Sequence, residues 1–285
     1  MIDIIPSGAS LGAQVRGLDL RKPLDAAMRD TLLTAWHRHQ VLVFRDQDLD
    51  DDALIAFTGA IGEVQMAPDS DVTAGFGGFA DVSPAITTIS NIVKDGRKIG
   101  ALGHAEADWH TDMSYLDTPP SASILYSIQL PASGGNTAFC DMYAAYKALD
   151  DDMKARITGR RAIHDFTYTS AGVLRVGHKE ITDVRDTPGA RHPLVRTHPD
   201  TGRKCLYLGR RINGYILDLP VAESEALLDL LWAAATRPEF VWEHTWQRGD
   251  VVMWDNRCVM HHRDAFDPAE TRLMHRTQIR GDRPS

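Results

Sequence analysis

The sequence is poor in cysteine. Its three cysteines, Cys140, Cys205 and Cys258, are odd in number and lie far apart in the 285 residues. A disulfide framework needs paired cysteines and a zinc ribbon needs two close pairs, so neither is predicted. Thiols without such pairing are typical of a reducing compartment, and we predict a cytoplasmic location.

The sequence also has no excess of positive charge and no long apolar run. The formal net charge is -8, whereas binding to nucleic acid or to an anionic membrane requires clustered positive charge. No apolar run approaches the roughly 20 residues that cross a bilayer, and the first residues resemble no basic leader. We therefore expect no nucleic-acid or membrane partner. A small-molecule partner is favoured, and a homo-oligomer stays open.

Periodicity predicts a mainly β fold with flanking helices. Helical spacing or capping residues predict helices over 25–39 and 50–61, after Asp141 and from Pro220, which we place near the first helical turn. No repeat, low-complexity segment or linker interrupts the chain, so we expect one domain over 1–285. Segments 66–85 and 168–190 have few core residues and are predicted to be flexible loops that can cover a site. Predicted strands cover 41–44, 86–93, 123–130, 193–198, 204–208, 240–246, 251–254, 257–261 and 272–280.

A candidate metal site begins in the stretch 109–112 (WHTD). In an extended segment, the side chains of His110 and Asp112 point to the same side. A second histidine would complete the two-histidine, one-carboxylate set of non-haem Fe(II) enzymes, and the same set also suits catalytic zinc. His261 and His262 are the candidates, because they end a strand-like run. The alternative is that such histidines are structural, hydrogen-bonded groups.

Two arginines of the last predicted strand form a second candidate site. Under two-residue alternation, Arg272, Met274 and Arg276 share one face of that strand. Arginines on an apolar-flanked face need anions, and each guanidinium can bind one carboxylate in a bidentate manner. The alternative is a solvated face with ordinary surface ion pairs.

The order of several motifs along nearly the whole chain carries a resemblance. The chain resembles the taurine dioxygenase superfamily of Fe(II)- and 2-oxoglutarate-dependent oxygenases, and within it the 2,4-dichlorophenoxyacetate type. Any one of the motifs is weak, but their co-occurrence in order is specific. The motifs are 41–45 (VLVFR), 109–112 (WHTD), 134–137 (GGNT), 139–142 (FCDM), 193–198 (PLVRTH), 253–261 (MWDNRCVMH) and 272–276 (RLMHR).

The resemblance implies a ligand set and a fold. It implies that His110, Asp112 and His261 ligate Fe(II), with His261 favoured over its neighbour by its offset after 255–257. It implies that Thr137 and Arg272 bind the distal carboxylate of 2-oxoglutarate. The implied fold is a double-stranded β-helix, a relative of the jelly roll, with flanking helices.

The resemblance also implies an activity. O2 and 2-oxoglutarate would be consumed, succinate and CO2 released, and a small organic anion hydroxylated and cleaved. Arg276 matches the arginine that meets the anionic group of the substrate, and Asn91 and Tyr115 are further candidates for the substrate pocket. Related halogenases replace the ligating carboxylate with a small residue, so the presence of Asp112 favours hydroxylation.

Substrate class is left open between two chemistries. Segment 62–68 lacks both the histidine of taurine dioxygenases and the lysine found in roughly this loop of phenoxyacetate enzymes. We expect an aryloxyalkanoate-like carboxylate, with an alkylsulfonate as the alternative. A zinc-dependent hydrolase and a non-catalytic 2-oxoglutarate-binding protein are more distant hypotheses.

Overall fold

The computed structural model describes residues 2–66 and 83–285. Aspartate side chains cap the helices where the sequence predicts them: Asp25 accepts a hydrogen bond from the Met28 amide and Asp50 from the Ala53 amide, both at 2.8 Å. Pro220 is the N-cap residue and not the first helical residue, so this helix starts at Val221. The α-helices of the described residues are Ala26–His39 (α1), Asp51–Ile61 (α2), Met142–Ala148 (α3), Asp151–Ile157 (α4) and Val221–Ala235 (α5).

Strands dominate the described residues, and this confirms the mainly β prediction. They are Asp3–Pro6 (β1), Ala13–Arg16 (β2), Val41–Phe44 (β3), Thr87–Ser90 (β4), Val93–Lys94 (β5), Arg97–Lys98 (β6), Ala101–Leu102 (β7), Ala107–His110 (β8), Ala122–Gln129 (β9), Thr137–Asp141 (β10), Arg161–Ile163 (β11), Arg191–Pro193 (β12), Val195–Thr197 (β13), Lys204–Leu206 (β14), Tyr215–Ile216 (β15), Val241–His244 (β16), Val251–Asp255 (β17), Val259–Arg263 (β18) and Leu273–Ile279 (β19). Short 3₁₀ helices cover Val184–Asp186 and Pro238–Phe240.

Two sheets contain most of the long strands. The larger has eight strands in the order β1-β2-β3-β17-β9-β19-β4-β7, and the smaller has four in the order β16-β10-β18-β8. One hydrophobic cluster joins side chains of the two sheets, such as Val252 with Phe139. A second cluster packs the larger sheet against α1 and α2, through residues such as Leu32 and Phe57. The smaller sheet contains β8 with His110 and β18 with His261 and His262. The larger sheet contains the last strand, β19, with Arg276.

Several predicted boundaries shift. The segment 86–93 divides into β4 and β5, and the predicted turn at Asp95 and Gly96 joins β5 to β6 with φ of 51° and 75°. The strand predicted over 257–261 starts two residues later and extends to Arg263. Residues 67–82 of the predicted loop 66–85 lie outside the described residues. Segment 168–190 contains no α-helix or ladder strand, only one 3₁₀ helix and an isolated bridge between Tyr168 and Leu174.

None of the helices in 2–66 and 83–285 combines the length and the apolar character that a membrane crossing requires.

Candidate metal and co-substrate site

His110 and His261 are cross-strand partners in the smaller sheet. Strands β8 and β18 run antiparallel with these two residues in register, and their ring centroids lie 4.1 Å apart. Alternation along β18 turns the neighbouring His262 to the other face, where its Nε2 lies 2.5 Å from Glu106 Oε1. The fold therefore brings His261, and not His262, to His110.

Asp112 reaches the two histidines from a turn. Strand β8 ends at His110, so the extended conformation considered for 109–112 does not continue through Asp112. Asn256 holds the turn: its side-chain oxygen accepts from the Asp112 amide at 2.9 Å and its Nδ2 donates to the Asp112 carbonyl at 2.8 Å. Asp112 Oδ1 consequently lies 3.6 Å from His110 Nε2 and 3.9 Å from His261 Nε2.

The three donor atoms fit a shared divalent ion. Ligand atoms that each lie about 2.1 Å from one ion can be up to about 4.2 Å apart, and both distances from Asp112 Oδ1 to the histidine Nε2 atoms are shorter. All the ligand atoms lie within 4.8 Å of one another, and the three residues are buried. His110 Nδ1 lies 2.7 Å from the Asp108 carbonyl, so Nδ1 carries the proton and Nε2 keeps a lone pair for the metal.

Burial and neighbouring charge keep Asp112 and His261 deprotonated. Burial alone would raise the pKa of Asp112, but the positive charge of Arg276 and, after it, the contacts with His261 and His110 hold that pKa well below its usual value. Burial, followed by repulsion from His110, lowers the pKa of His261 well below its usual value. A carboxylate and a neutral imidazole are the forms that bind metal.

A second group of side chains that could ligate a metal already has hydrogen-bond partners in the protein. His198, Asp255 and Cys258 also lie within 4.8 Å of one another. However, Asp255 accepts two side-chain hydrogen bonds from Arg257 at 2.8 Å and lies 2.9 Å from His198 Nε2. His198 Nδ1 accepts from backbone amides, so its Nε2 carries the proton. This group is a closed hydrogen-bond network that ties β17 to the 198–202 turn.

Arg272 is a buried cation that lacks a counter-ion among the described residues. It is 1% exposed, and within 2–66 and 83–285 its Nε and Nη2 have no hydrogen-bond partner and no carboxylate lies within 4.0 Å. Burial, together with repulsion from Arg263, lowers its pKa from 12.5 to about 9, so it is still charged at neutral pH. An unpaired buried charge is costly, and an anionic ligand would remove that cost.

Thr137 provides a hydroxyl beside this cation. Thr137 Oγ1 accepts a hydrogen bond from Trp246 Nε1 at 3.0 Å, and the guanidinium of Arg272 lies 5.9 Å from the Trp246 ring centroid. Thr137 pairs with Arg263, two residues along β18 from His261, or about 7 Å on the same face. A five-carbon dicarboxylate can bridge such a distance between a metal and a distal carboxylate site.

Arg276 contacts the candidate metal ligand directly. Its Nη1 lies 3.1 Å from both carboxylate oxygens of Asp112, and Ser123 Oγ donates to Oδ2 at 2.7 Å. Gln278 Nε2 donates in turn to Ser123 Oγ at 2.9 Å. The carboxylate of Asp112 is thus oriented by a cation and a hydroxyl, which leaves Oδ1 directed at the two histidines.

Comparison with known proteins agrees with this geometry. The model of the family "Taurine catabolism dioxygenase TauD, TfdA family" matches residues 3–278. The chain belongs to this family. It is 36% identical over 290 residues to the (S)-phenoxypropionate/alpha-ketoglutarate-dioxygenase of Sphingobium herbicidovorans, covering 98% of this chain and 95% of that protein. It is 36% identical over 286 residues to the alpha-ketoglutarate-dependent 2,4-dichlorophenoxyacetate dioxygenase of a Burkholderia species, covering 95% and 91%. The solved structure of AAD-2 in complex with Mn(II) and N-oxalylglycine superposes with a TM-score of 0.79 at 35% identity and covers 100% of this chain and 99% of that one.

Two pocket candidates of this TauD, TfdA family member occupy different surroundings. Asn91 braces Arg272: its Oδ1 accepts from the Arg272 amide at 3.0 Å, and its Nδ2 donates to the Glu270 carbonyl at 2.7 Å. Asn91 thus makes hydrogen bonds at the start of the last strand. Tyr115 is buried beside Phe166, with ring centroids 4.6 Å apart.

Sequence reasoning missed the residues that support the ligands. Asn256 lies within the quoted motif 253–261 of this family, but its clamp on Asp112 joins residues 144 positions apart. Ser123 and Trp246 had no signal beyond their place in predicted strands. Arg210 was missed as well, although two successive arginines at the end of an apolar run are a visible signal.

Proposed function

We propose that this chain is an Fe(II)- and 2-oxoglutarate-dependent dioxygenase that hydroxylates and oxidatively cleaves a small organic anion, an aryloxyalkanoate-like carboxylate. The observation that carries the proposal is the buried Arg272 near Thr137, which has no counter-ion among the described residues, together with the cluster of His110, Asp112 and His261. A metal-dependent hydrolase would need the three donors but not this anion site. The named activities of the relatives support the same chemistry.

Each group of side chains has a distinct task in the proposal. His110, Asp112 and His261 would hold the metal through two imidazole nitrogens and one carboxylate oxygen. Thr137 and Arg272 bind the distal carboxylate of 2-oxoglutarate and fix the orientation of its other end. When bound, Fe(II) and 2-oxoglutarate supply O2 activation for hydroxylation of a substrate carbon, with release of succinate and CO2.

Arg276 and Ser123 keep Asp112 ionised and oriented during this reaction. Arg276 Nη1 contacts both carboxylate oxygens and Ser123 donates to Oδ2 alone, so Oδ1, the oxygen beside the two histidines, is the one that would ligate the metal. The remaining donors of Arg276, whose Nε has no partner among the described residues, can meet an anionic group of the substrate. Hydroxylation of a carbon next to an ether oxygen gives an unstable product, which separates into two fragments.

Succinate release and O2 consumption test the activity. We expect both to depend on Fe(II), 2-oxoglutarate and an aryloxy acid such as phenoxyacetate or (S)-phenoxypropionate. Stimulation by taurine alone would assign the alternative alkylsulfonate class. Hydrolytic turnover with Zn(II) and without O2 would overturn the oxygenase proposal, and tight 2-oxoglutarate binding without turnover of a broad anion panel would favour the binding-protein hypothesis.

Four structural and cellular expectations belong to the same proposal. A double-stranded β-helix core is supported by the eight-stranded and four-stranded sheets that share one hydrophobic cluster. A single domain over 1–285 is supported by the family match to 3–278. A cytoplasmic location rests on the unpaired cysteines, which are all buried and free. A homo-oligomer stays a prediction.

A further inference from the structure

Arg210 lies beside the metal donors although no sequence motif pointed to it. The Gly209 carbonyl accepts a hydrogen bond from the Thr111 amide at 3.0 Å, so the chain at 209–210 runs alongside the turn that carries Asp112. Arg210 is 8% exposed, and its guanidinium lies 5.4 Å from the ring centroid of Tyr115, three residues after Asp112. The guanidinium is therefore held next to the turn that carries Asp112.

The guanidinium of Arg210 has a vacant donor direction. Nη1 donates to the Tyr168 carbonyl at 2.9 Å, while Nε is buried and has no partner in the described part of the chain. No carboxylate of the described residues lies within 4.0 Å of it, in contrast to Arg276, which is paired with Asp112. Burial lowers the pKa of Arg210 to about 10, so the charge persists at neutral pH. A buried charge of this kind is stabilised by an anion that the chain does not itself supply.

Aromatic rings adjoin this vacant donor. The guanidinium of Arg210 lies 5.4 Å from the Tyr115 ring centroid, and Tyr115 packs on Phe166 at 4.6 Å with 36° between the rings. Arg175 adds a further cation, 4.9 Å from Tyr115 and 5.2 Å from Phe166. Apolar faces next to a cation suit a ligand that has a ring at one end and an anionic group at the other.

We propose that Arg210 anchors the carboxylate of the substrate, while Tyr115 and Phe166 bound the space for its aryl ring. The proposal rests on the function proposed above and deepens it, because it assigns the substrate anion to a side chain outside the last strand. Arg276 then acts chiefly on Asp112, and the guanidinium of Arg210, which the chain leaves without a counter-ion among its described residues, selects a carboxylate over a neutral isostere. Recognition by a buried guanidinium with aromatic neighbours favours an aryl carboxylate over a short alkylsulfonate.

Arg210→Gln tests the anchor with Arg211→Gln as its matched control. The neighbouring Arg211 is half-exposed and pairs with Asp229 at 2.7 Å and Glu225 at 2.6 Å, away from the site. With the full chain, Fe(II) and 2-oxoglutarate, we expect Arg210→Gln to raise the KM for phenoxyacetate at least 30-fold, whereas Arg211→Gln stays within about twofold of wild type. Stabilisation by Mn(II) with N-oxalylglycine, read as a shift in Tm, should be the same in all three proteins.

Phenoxyacetamide separates an anchor from a merely structural residue, because it has the same ring without the charge. Loss of an anchor abolishes the preference for phenoxyacetate over phenoxyacetamide, whereas a structural defect weakens both ligands alike. An unchanged preference in Arg210→Gln would overturn the proposal. If that variant does not fold, Arg276→Gln decides: a preference that persists supports Arg210, and one that disappears assigns the anion to Arg276 instead.

Failure of the underlying function gives a different pattern. A wild-type protein that gains no stability from Mn(II) with N-oxalylglycine would contradict the proposed co-substrate site. A wild-type protein that binds N-oxalylglycine but no aryloxy acid would overturn only the Arg210 pocket.

Discussion

Arg272→Met should stabilise the ligand-free protein, contrary to the usual effect of a substitution in a core. Burial lowers the pKa of Arg272 from 12.5 to about 9, and at about 1.4 kcal/mol per pH unit the buried charge costs about 5 kcal/mol. The sign follows from linkage: the folded-state pKa is below the unfolded one, so the penalty is fully present at every pH below about 9. Methionine removes the charge and keeps much of the volume. We expect the free energy of unfolding to rise by about 1–4 kcal/mol after the loss of packing.

Arg263→Met is the matched control for that measurement. Arg263 is also a buried arginine, with a pKa lowered by burial to about 10, but it donates to the carbonyls of Gly103 and Ala105. Its removal leaves these acceptors unpaired and should lower the free energy of unfolding by about 1–3 kcal/mol. Urea denaturation at pH 7.5 measures both variants, and the two changes should have opposite signs.

The same Arg272→Met variant should lose the co-substrate. Truncation of one partner of a buried charged pair costs about 2–5 kcal/mol, which is roughly a 30- to 5000-fold weaker binding. Addition of Mn(II) and N-oxalylglycine should therefore stabilise the wild type but not Arg272→Met. If Arg272→Met is destabilised as much as Arg263→Met, or is still stabilised by N-oxalylglycine, Arg272 is not an unpaired buried cation that binds the co-substrate.

Three further predictions concern the metal donors and the buried histidines. His110→Ala and Asp112→Ala should each abolish turnover and stabilisation by Mn(II), and retained turnover in either variant would contradict the ligand set. Asp112→Ala should also lower the free energy of unfolding by about 3–5 kcal/mol, because Arg276 loses its partner. Asn256→Ala should weaken Mn(II) binding about 10- to 100-fold in a metal titration, because the turn at Asp112 loses its clamp. His164 is fully buried and neither ring nitrogen has a partner among the described residues, and burial holds its pKa well below 6.5. In the unfolded chain His164 takes up a proton as the pH falls below about 6.5, so the free energy of unfolding decreases as the pH falls. His164→Phe should therefore flatten the pH dependence of urea unfolding between pH 5 and 7. An unaltered slope would contradict the role of His164.

Capping and alternation made much of the fold predictable from the sequence. Asp25, Asp50 and Asp141 begin helices because their side chains accept from the amides two or three residues on, an interaction that a local pattern reveals. The fourth helix, Asp151–Ile157, is capped by Asp150 in the same way but was not predicted. Its seven residues are too short to show a periodicity.

The candidate metal site was predictable in its composition but not in its backbone. An extended chain would bring His110 and Asp112 to one side, yet the strand ends between them. The convergence depends on Asn256, which is 144 residues away and clamps both the amide and the carbonyl of Asp112. Long-range contacts of this kind have no periodic signal, and the same holds for Ser123.

Arg272 and Arg276 show that the side of a strand on which a residue is predicted to lie does not reveal its counter-ion. Alternation over the predicted strand 272–280 puts Arg272 and Arg276 on one side and indicates that each needs an anion. It does not indicate whether the chain provides that anion. Arg276 finds it in Asp112, whereas Arg272 meets no carboxylate of the described residues. Arg257, held by Asp255, is a third and wholly internal case. A buried arginine is therefore a sign of ligand binding only after its counter-ions and backbone acceptors have been sought in the folded structure. Arg272 has neither among the described residues, whereas Arg257 is paired with Asp255 and Arg263 donates to two carbonyls.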